Sequence, residues 1–213
     1  MCDELKGSMC YLIGPIDFAE DKGIGFRQQI KDGLSDLGVV FLDPTAKLDG
    51  LTPDVGVEQD KIAQMKEEGR WEDLRSFMKK IVRSDLRCVD YSDFVIAYID
   101  PDVHMCGSYH EIVCAVNQKK PVLAVIKGGK KRASSWLFGI LRTDAMFDSI
   151  EELIEYFKHP EFVLDERWVL FRDQVFQQQI KVFGLDYKLK EQGILEHESG
   201  WRSVEEATKQ EKW

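Results

Sequence analysis

The chain has 213 residues, a formal charge of −9 and 44% hydrophobic residues. That is enough apolar material for one α/β domain with an appendage, and the acidic balance argues against a broad groove for polymeric nucleic acid. The longest apolar runs stop at about six residues, far short of a transmembrane helix, so no membrane contact is expected.

The opening stretch MCDELKGSMCYLIG is acidic and lacks the apolar core of a signal peptide. Cys2, Cys10, Cys88, Cys106 and Cys114 form an odd set without a C-x-x-C pair. Free thiols in a reducing, cytoplasmic setting are expected. Met9 to Gly14 reads as a first strand, stopped by Gly14-Pro15. A loop with Asp17, Glu20 and Asp21 leads to Gly23-Ile24-Gly25 and a helix with Phe26, Ile30, Leu34 and Leu37 on one face. This is no dinucleotide fingerprint, because Gln28 stands where the third glycine of G-x-G-x-x-G belongs. Val39 to Leu42 is a second strand, broken by Asp43-Pro44. Residues 45–69 form a long polar crossover with a short helix expected over 57–66. A segment of that length is either a binding lid or a linker.

Trp71 to Tyr91 carries Leu74, Phe77, Met78, Ile81, Val82, Leu86 and Val89 at helical spacing. Asp85 falls on the same stripe. A carboxylate on a packed face is costly unless it is paired or used. It either caps a loop or meets an arginine, or it serves a site. Phe94 to Ile99 (FVIAYI) and Pro121 to Ile126 (PVLAVI) are continuous apolar runs, as in strands buried on both faces. Asp100-Pro101-Asp102 ends the first, and Gly107 opens a helix between them. This βαβ unit has its carboxyl edge where open α/β sheets bind ligands. Ser108 to Glu111 spells S-x-x-E, a capping box with an acid suited to the helix dipole. The other reading has Gly107 admit a ligand while Glu111 points over the strand ends as a nucleophile. Both hold if Glu111 faces the pocket.

Beyond Ile126, KGGKKR (127–132) reads as a phosphate loop or a solvated turn, and charge runs favour the turn. Ser134 and Ser135 begin a helix with Trp136, Leu137, Phe138 and Leu141. Ala145 to Phe147 is a fifth, edge strand. Ser149 opens a helix to Phe157 with a second S-x-x-E, Ser149 to Glu152. After Pro160 the composition changes. Trp168, Phe171, Val175, Phe176, Ile180 and Phe183 make an aromatic helical face, followed by a charged tail. Residues 1–160 are therefore read as the α/β domain and 161–213 as a helical appendage. The appendage packs on the core or on a second subunit, so a homo-oligomer is expected.

His104, Cys106 and His110 invite a metal, but H-x-C-x-x-x-H has no second ligand pair, so none is expected. Cys106 as a thiol nucleophile with His104 or His110 as base is a weaker alternative.

The pattern YLIGP, then Ser84-Asp85-Leu86 near a helix end, the acidic strand end, GSYHEI and Lys120-Pro121-Val122 resembles the nucleoside 2-deoxyribosyltransferase family over residues 9–157. The resemblance implies a flavodoxin-like doubly wound parallel sheet of about five strands. It also implies double displacement at the sugar C1′ of a 2′-deoxynucleoside or its monophosphate, with a free nucleobase as partner and no cofactor. Glu111 then matches the nucleophile, Tyr11 the group that orients it, and Asp85 the acid near the sugar and leaving base. Such residue types suit the chemistry, because a close carboxylate stabilises an oxocarbenium-like centre and can trap it. A second acid can protonate the departing base. Where members of the family carry a further aspartate shortly before the glycine, this chain has Met105, so Asp102 or His104 is expected to meet the base. Gly14, Pro15, Gly107, Ser108 and Ser134 complete the expected substrate contacts. Related hydrolases hold a 5′-phosphate with serines and loop amides, which leaves an N-glycosidase using water as one alternative. A non-catalytic nucleotide-binding module is the other.

Overall fold

The computed structural model describes residues 5–46 and 55–158. The expected appendage at 161–213 and residues 47–54 of the crossover lie outside the described residues. The elements in order are β1 Met9–Ile13, α1 Ile24–Gly33, β2 Val40–Leu42, α2 Val55–Glu67, α3 Trp71–Tyr91, β3 Phe94–Ile99, α4 Cys106–Asn117, β4 Val122–Ile126, α5 Leu137–Ile140, β5 Met146–Phe147 and α6 Ile150–Lys158.

The apolar runs FVIAYI and VLAVI form the centre of the sheet because both of their faces are covered. All pairings are parallel, in the order β2-β1-β3-β4-β5. This is the flavodoxin-like doubly wound order, with its switch point between β1 and β3. Side chains alternate across each strand. Tyr11, Ile13, Val95, Ala97 and Ile99 therefore meet Val89 of α3 and Ile112 and Ala115 of α4 in one core. On the helix side, α3 packs with α4, and α1 with α6. The parity of β1 decides the site, since it turns Tyr11 toward α4.

Two helix starts differ from the sequence reading. α2 runs from Val55 rather than 57, and buries Ile62 and Met65. α4 begins at Cys106, with Met105 as its N-cap and no side-chain cap bond. The Tyr109 amide already donates to the Met105 carbonyl at 2.9 Å, so the helical ladder is running before Ser108 is reached. Ser108 consequently sits inside the first turn, and the capping box expected at Ser108–Glu111 does not form. The second box does form. The Glu152 amide donates to Ser149 Oγ at 3.1 Å, and Glu152 Oε2 accepts from the Asp148 amide at 2.5 Å.

Among the described residues, no helix is long and apolar enough to cross a membrane.

Candidate active site

A cavity of about 210 Å3 opens at the carboxyl end of β1, beside the switch point. The β1–α1 loop supplies Gly14, Pro15 and Phe18 to its wall, and α1 supplies Arg27. α2 adds Gln59 and Ile62, and α3 adds Ile81, Asp85 and Leu86. The start of α4 adds Cys106, Gly107, Ser108 and Glu111, with His104 just before it.

At the floor, the buried Tyr11 hydroxyl donates to Glu111 Oε1 at 2.9 Å. The two residues come from β1 and from the second turn of α4, a hundred positions apart in the chain. Because α4 starts early, Glu111 lies beyond the orphan amides of the helix end and is free of them. Burial pushes its carboxyl up to about 7, and the negative charge of Asp85 adds to that. The Tyr11 hydrogen bond and the positive charge of Arg27 pull the other way. Tyr11 is itself pushed well up by burial and by the Glu111 and Asp85 charges, so it stays a donor. Cys88, one turn along α3 from Asp85, is raised to about 11 by burial and by the same two carboxylates. Burial and neighbouring negative charge thus raise the proton affinity of Glu111, Tyr11 and Cys88 alike.

Gly14, Pro15, His104, Gly107 and Ser108, all expected from the sequence, lie in the cavity wall with Tyr11, Asp85 and Glu111. A Cβ added at Gly107 would meet nothing within 4 Å, so this backbone faces open space. Ser108 is 7% exposed, and its hydroxyl makes no hydrogen bond to a described residue. Asp102 and Ser134 stand outside the wall. Arg132 clasps Asp102 through two bonds of 2.6 and 3.2 Å. Ser134 Oγ accepts from the Trp136 amide at 3.4 Å on the surface. The loop that presents Arg132 spends two more of its cations in the same way. Lys127 meets Asp100 at 2.6 Å and Lys130 approaches Glu152 at 3.6 Å. Neither lies on the cavity, which is the behaviour of a surface turn. Met105 is buried and its sulfur accepts the Asp100 amide at 3.2 Å, so no charge occupies that position. His104, Cys106 and His110 share the wall, but among the described residues no group of three such side chains is arranged to hold a metal ion.

Of the wall residues that escape the sequence reading, three make contacts that shape the site. Phe18 stands 56% exposed at the mouth, edge-on to His104 with ring centres 5.7 Å apart. Gln59 of α2 donates to Asp17 at 2.9 Å and ties that helix to the β1–α1 loop. Arg27 is 1% exposed. It occupies the apolar stripe of α1 together with Ile30 and Leu34, the signal that singles out Asp85 on α3. A charge inside an apolar stripe therefore finds both.

No protein-family model matches the sequence, and no curated protein matches it. Among solved structures, the fold is similar to a 2-deoxyribosyltransferase from Bacillus psychrosaccharolyticus, at 14% identity and a TM-score of 0.48, over 70% of this chain and 92% of that one. It is also similar to a 2-deoxyribosyltransferase from Leishmania mexicana, at 18% identity and a TM-score of 0.46, over 72% of this chain and 99% of that one. At those values the likeness adds nothing to the sheet order, and what the site does follows from its own side chains.

Proposed function

We propose that this protein cleaves the N-glycosidic bond of 2′-deoxynucleosides or their monophosphates and passes the sugar to another base through a covalent intermediate on Glu111. The observation that carries this reading is the 2.9 Å bond from the Tyr11 hydroxyl to Glu111 inside a cavity that also holds Asp85. Mere binding does not need a carboxylate steadied by a buried phenol.

Tyr11 occupies Oε1 of Glu111 and leaves Oε2 for attack. As the new bond to C1′ forms, the electron pair of the C1′–N bond leaves with the base. Asp85 supplies the proton that the base takes up. Positive charge gathers on the sugar ring during this step, and the Glu111 carboxylate, joined by that of Asp85 as its proton leaves, stabilises it. In the second half, a nitrogen of the incoming base attacks C1′, Glu111 departs as a carboxylate, and Asp85 recovers the proton. The sugar keeps its configuration after two inversions. A 2′-deoxy sugar suits this path, because the electron-withdrawing 2′-hydroxyl is absent and the ring cation forms more easily.

The test is incubation with each 2′-deoxynucleoside and its 5′-monophosphate, with and without a second free base. Chromatography then follows exchanged nucleoside and released base. Rapid quenching with mass spectrometry looks for a deoxyribosyl adduct on the peptide carrying Glu111. Exchange together with that adduct supports the proposal. Release without exchange moves the assignment to the hydrolase, and silence with every substrate moves it to a binding module.

A further inference from the structure

Arg27 is a full charge buried in the wall of an acidic cavity, and the reaction above gives it no part. A guanidinium keeps its charge at any working pH. Burying such a charge is costly unless it is paired and hydrogen-bonded. Its bonds show where it is anchored. Nε donates to the Leu12 carbonyl at 3.3 Å, Nη1 to that of Gly23 at 2.7 Å, and Nη2 to that of Gly14 at 3.1 Å. These carbonyls belong to the end of β1 and to the two ends of the loop that walls the cavity. The loop is built around this side chain. Gly23 has φ +73, and an added Cβ would fall 2.4 Å from Arg27 Nη1 and 2.2 Å from the Pro15 carbonyl. Gly14 likewise leaves room for Phe26, over whose ring the guanidinium lies at 4.5 Å.

The charge itself is only partly answered. Among the described residues its ion-pair partner is Asp43, at 3.6 Å. Asp43 is engaged more closely by Lys31 at 2.8 Å, and also accepts from Thr45. The remaining field of Arg27 falls on the cavity, where the other charged groups near Glu111 are acids.

We propose that Arg27 is a positioning residue of this site: it fixes the Gly14–Gly23 wall and supplies the positive field that holds Glu111 as an anion ready to attack. The catalytic half of this statement rests on the function proposed above. The groups acting on Glu111 are Asp85 from α3, Tyr11 from β1 and Arg27 from α1. Burial and Asp85 favour its proton, whereas the Tyr11 bond and Arg27 oppose it.

The experiment reads Glu111 directly. Protein labelled with carboxyl-13C glutamate is titrated by NMR, and the Glu111 signal is identified by its loss in Glu111→Gln. In Arg27→Gln the midpoint should rise by about one pH unit, the scale of one nearby opposite charge. In Arg27→Lys, which keeps the charge but loses the fork, the midpoint should stay within about 0.3 unit, well below that scale. An unmoved midpoint in Arg27→Gln, or an equal rise in both variants, overturns the proposal. Should Arg27→Gln fail to fold, Asp43→Asn takes its place. It leaves the guanidinium unopposed and should lower the midpoint, so a midpoint that holds or rises overturns the proposal. No turnover is needed for any of this. Expected shifts in a protein inert toward all deoxynucleosides would sink the function alone, and turnover with a fixed midpoint would sink the role of Arg27 alone.

Discussion

Among the described residues the pattern S-x-x-E occurs twice, and the two copies behave differently. At Ser149–Glu152 it closes a helix start: the serine accepts from the Glu152 amide, and the glutamate accepts from the Asp148 amide. At Ser108–Glu111 the helix has already begun at Cys106, the box is open, and the glutamate meets Tyr11 instead. The difference lies upstream of the motif. The Met105 carbonyl accepts the first helical bond, which puts the N-cap three residues ahead of Ser108. A glutamate released from capping duty and aimed at a buried phenol is available for chemistry, whereas its counterpart in α6 is spent on the fold.

The sharpest way to break this comparison is to neutralise each glutamate. Glu111→Gln should lower deoxyribosyl transfer by at least about a thousandfold, as removal of a nucleophile does. Glu152→Gln should leave turnover within about twofold, because glutamine also serves a capping box. Steady-state assays of both variants decide it. Comparable rates in both would mean that the two motifs do the same work and that the site lies elsewhere. Tyr11→Phe comes next. It strips one neutral-to-charged hydrogen bond from Glu111, a loss of about 1.5–3 kcal/mol, or roughly ten- to a hundredfold in kcat. Its acid limb should also move above that of the wild type, since the lost bond is one that lowers the proton affinity of Glu111.

Much of the fold was legible because its causes are local. Continuous apolar runs mark β3 and β4, and breaks such as Gly14-Pro15 and Asp43-Pro44 end β1 and β2 close to where they end in space. Tyr11 and Glu111 were legible as a pair only through the family resemblance, since nothing local links residues of β1 and α4. What stayed hidden depends on distance. S-x-x-E reads alike at 108 and 149, and only the position of the preceding carbonyl separates them. Asp102 looked like a base contact because Met105 stands where the resembled family carries an aspartate before the glycine and Asp102 is a nearby acid, but Arg132 from another loop takes it. Arg27 was passed over because the apolar members of its helix face were counted and the charged one was not.

A pH test sharpens the same contrast through stability. The Glu111 carboxyl lies at about 7 in the folded protein against an ordinary 4.5. A raised acid binds its proton more tightly in the folded state, so its ionisation weakens the fold as pH climbs from 4.5 to about 7, and the full cost applies above that window. Two and a half units correspond to about 3 kcal/mol, and cavity water reduces this to about 2 kcal/mol. Glu111→Gln carries no such cost. In urea unfolding it should be about 2 kcal/mol more stable than the wild type at pH 8 and equal to it at pH 4. A loss of stability at pH 8 would show that Glu111 holds the fold together as Glu152 does.

The smallest effect separates the serines. Ser149 Oγ accepts a backbone amide that would otherwise be an orphan of the helix end, so Ser149→Ala should cost about 1 kcal/mol. Its turnover should not change, because α6 lies outside the cavity wall. Ser108 makes no cap, and its hydroxyl has no partner among the described residues, so removing it strands nothing. Burying a methyl in place of an unpaired hydroxyl is neutral or mildly favourable, and Ser108→Ala should unfold within about 0.5 kcal/mol of the wild type. The readouts should cross: the stability loss belongs to position 149, and any rise in KM belongs to position 108, whose hydroxyl borders the proposed substrate space. A 1 kcal/mol loss at Ser108→Ala would mean that the serine caps α4 after all. Glu111 would then sit in a closed box, and its freedom to face Tyr11 would need another cause.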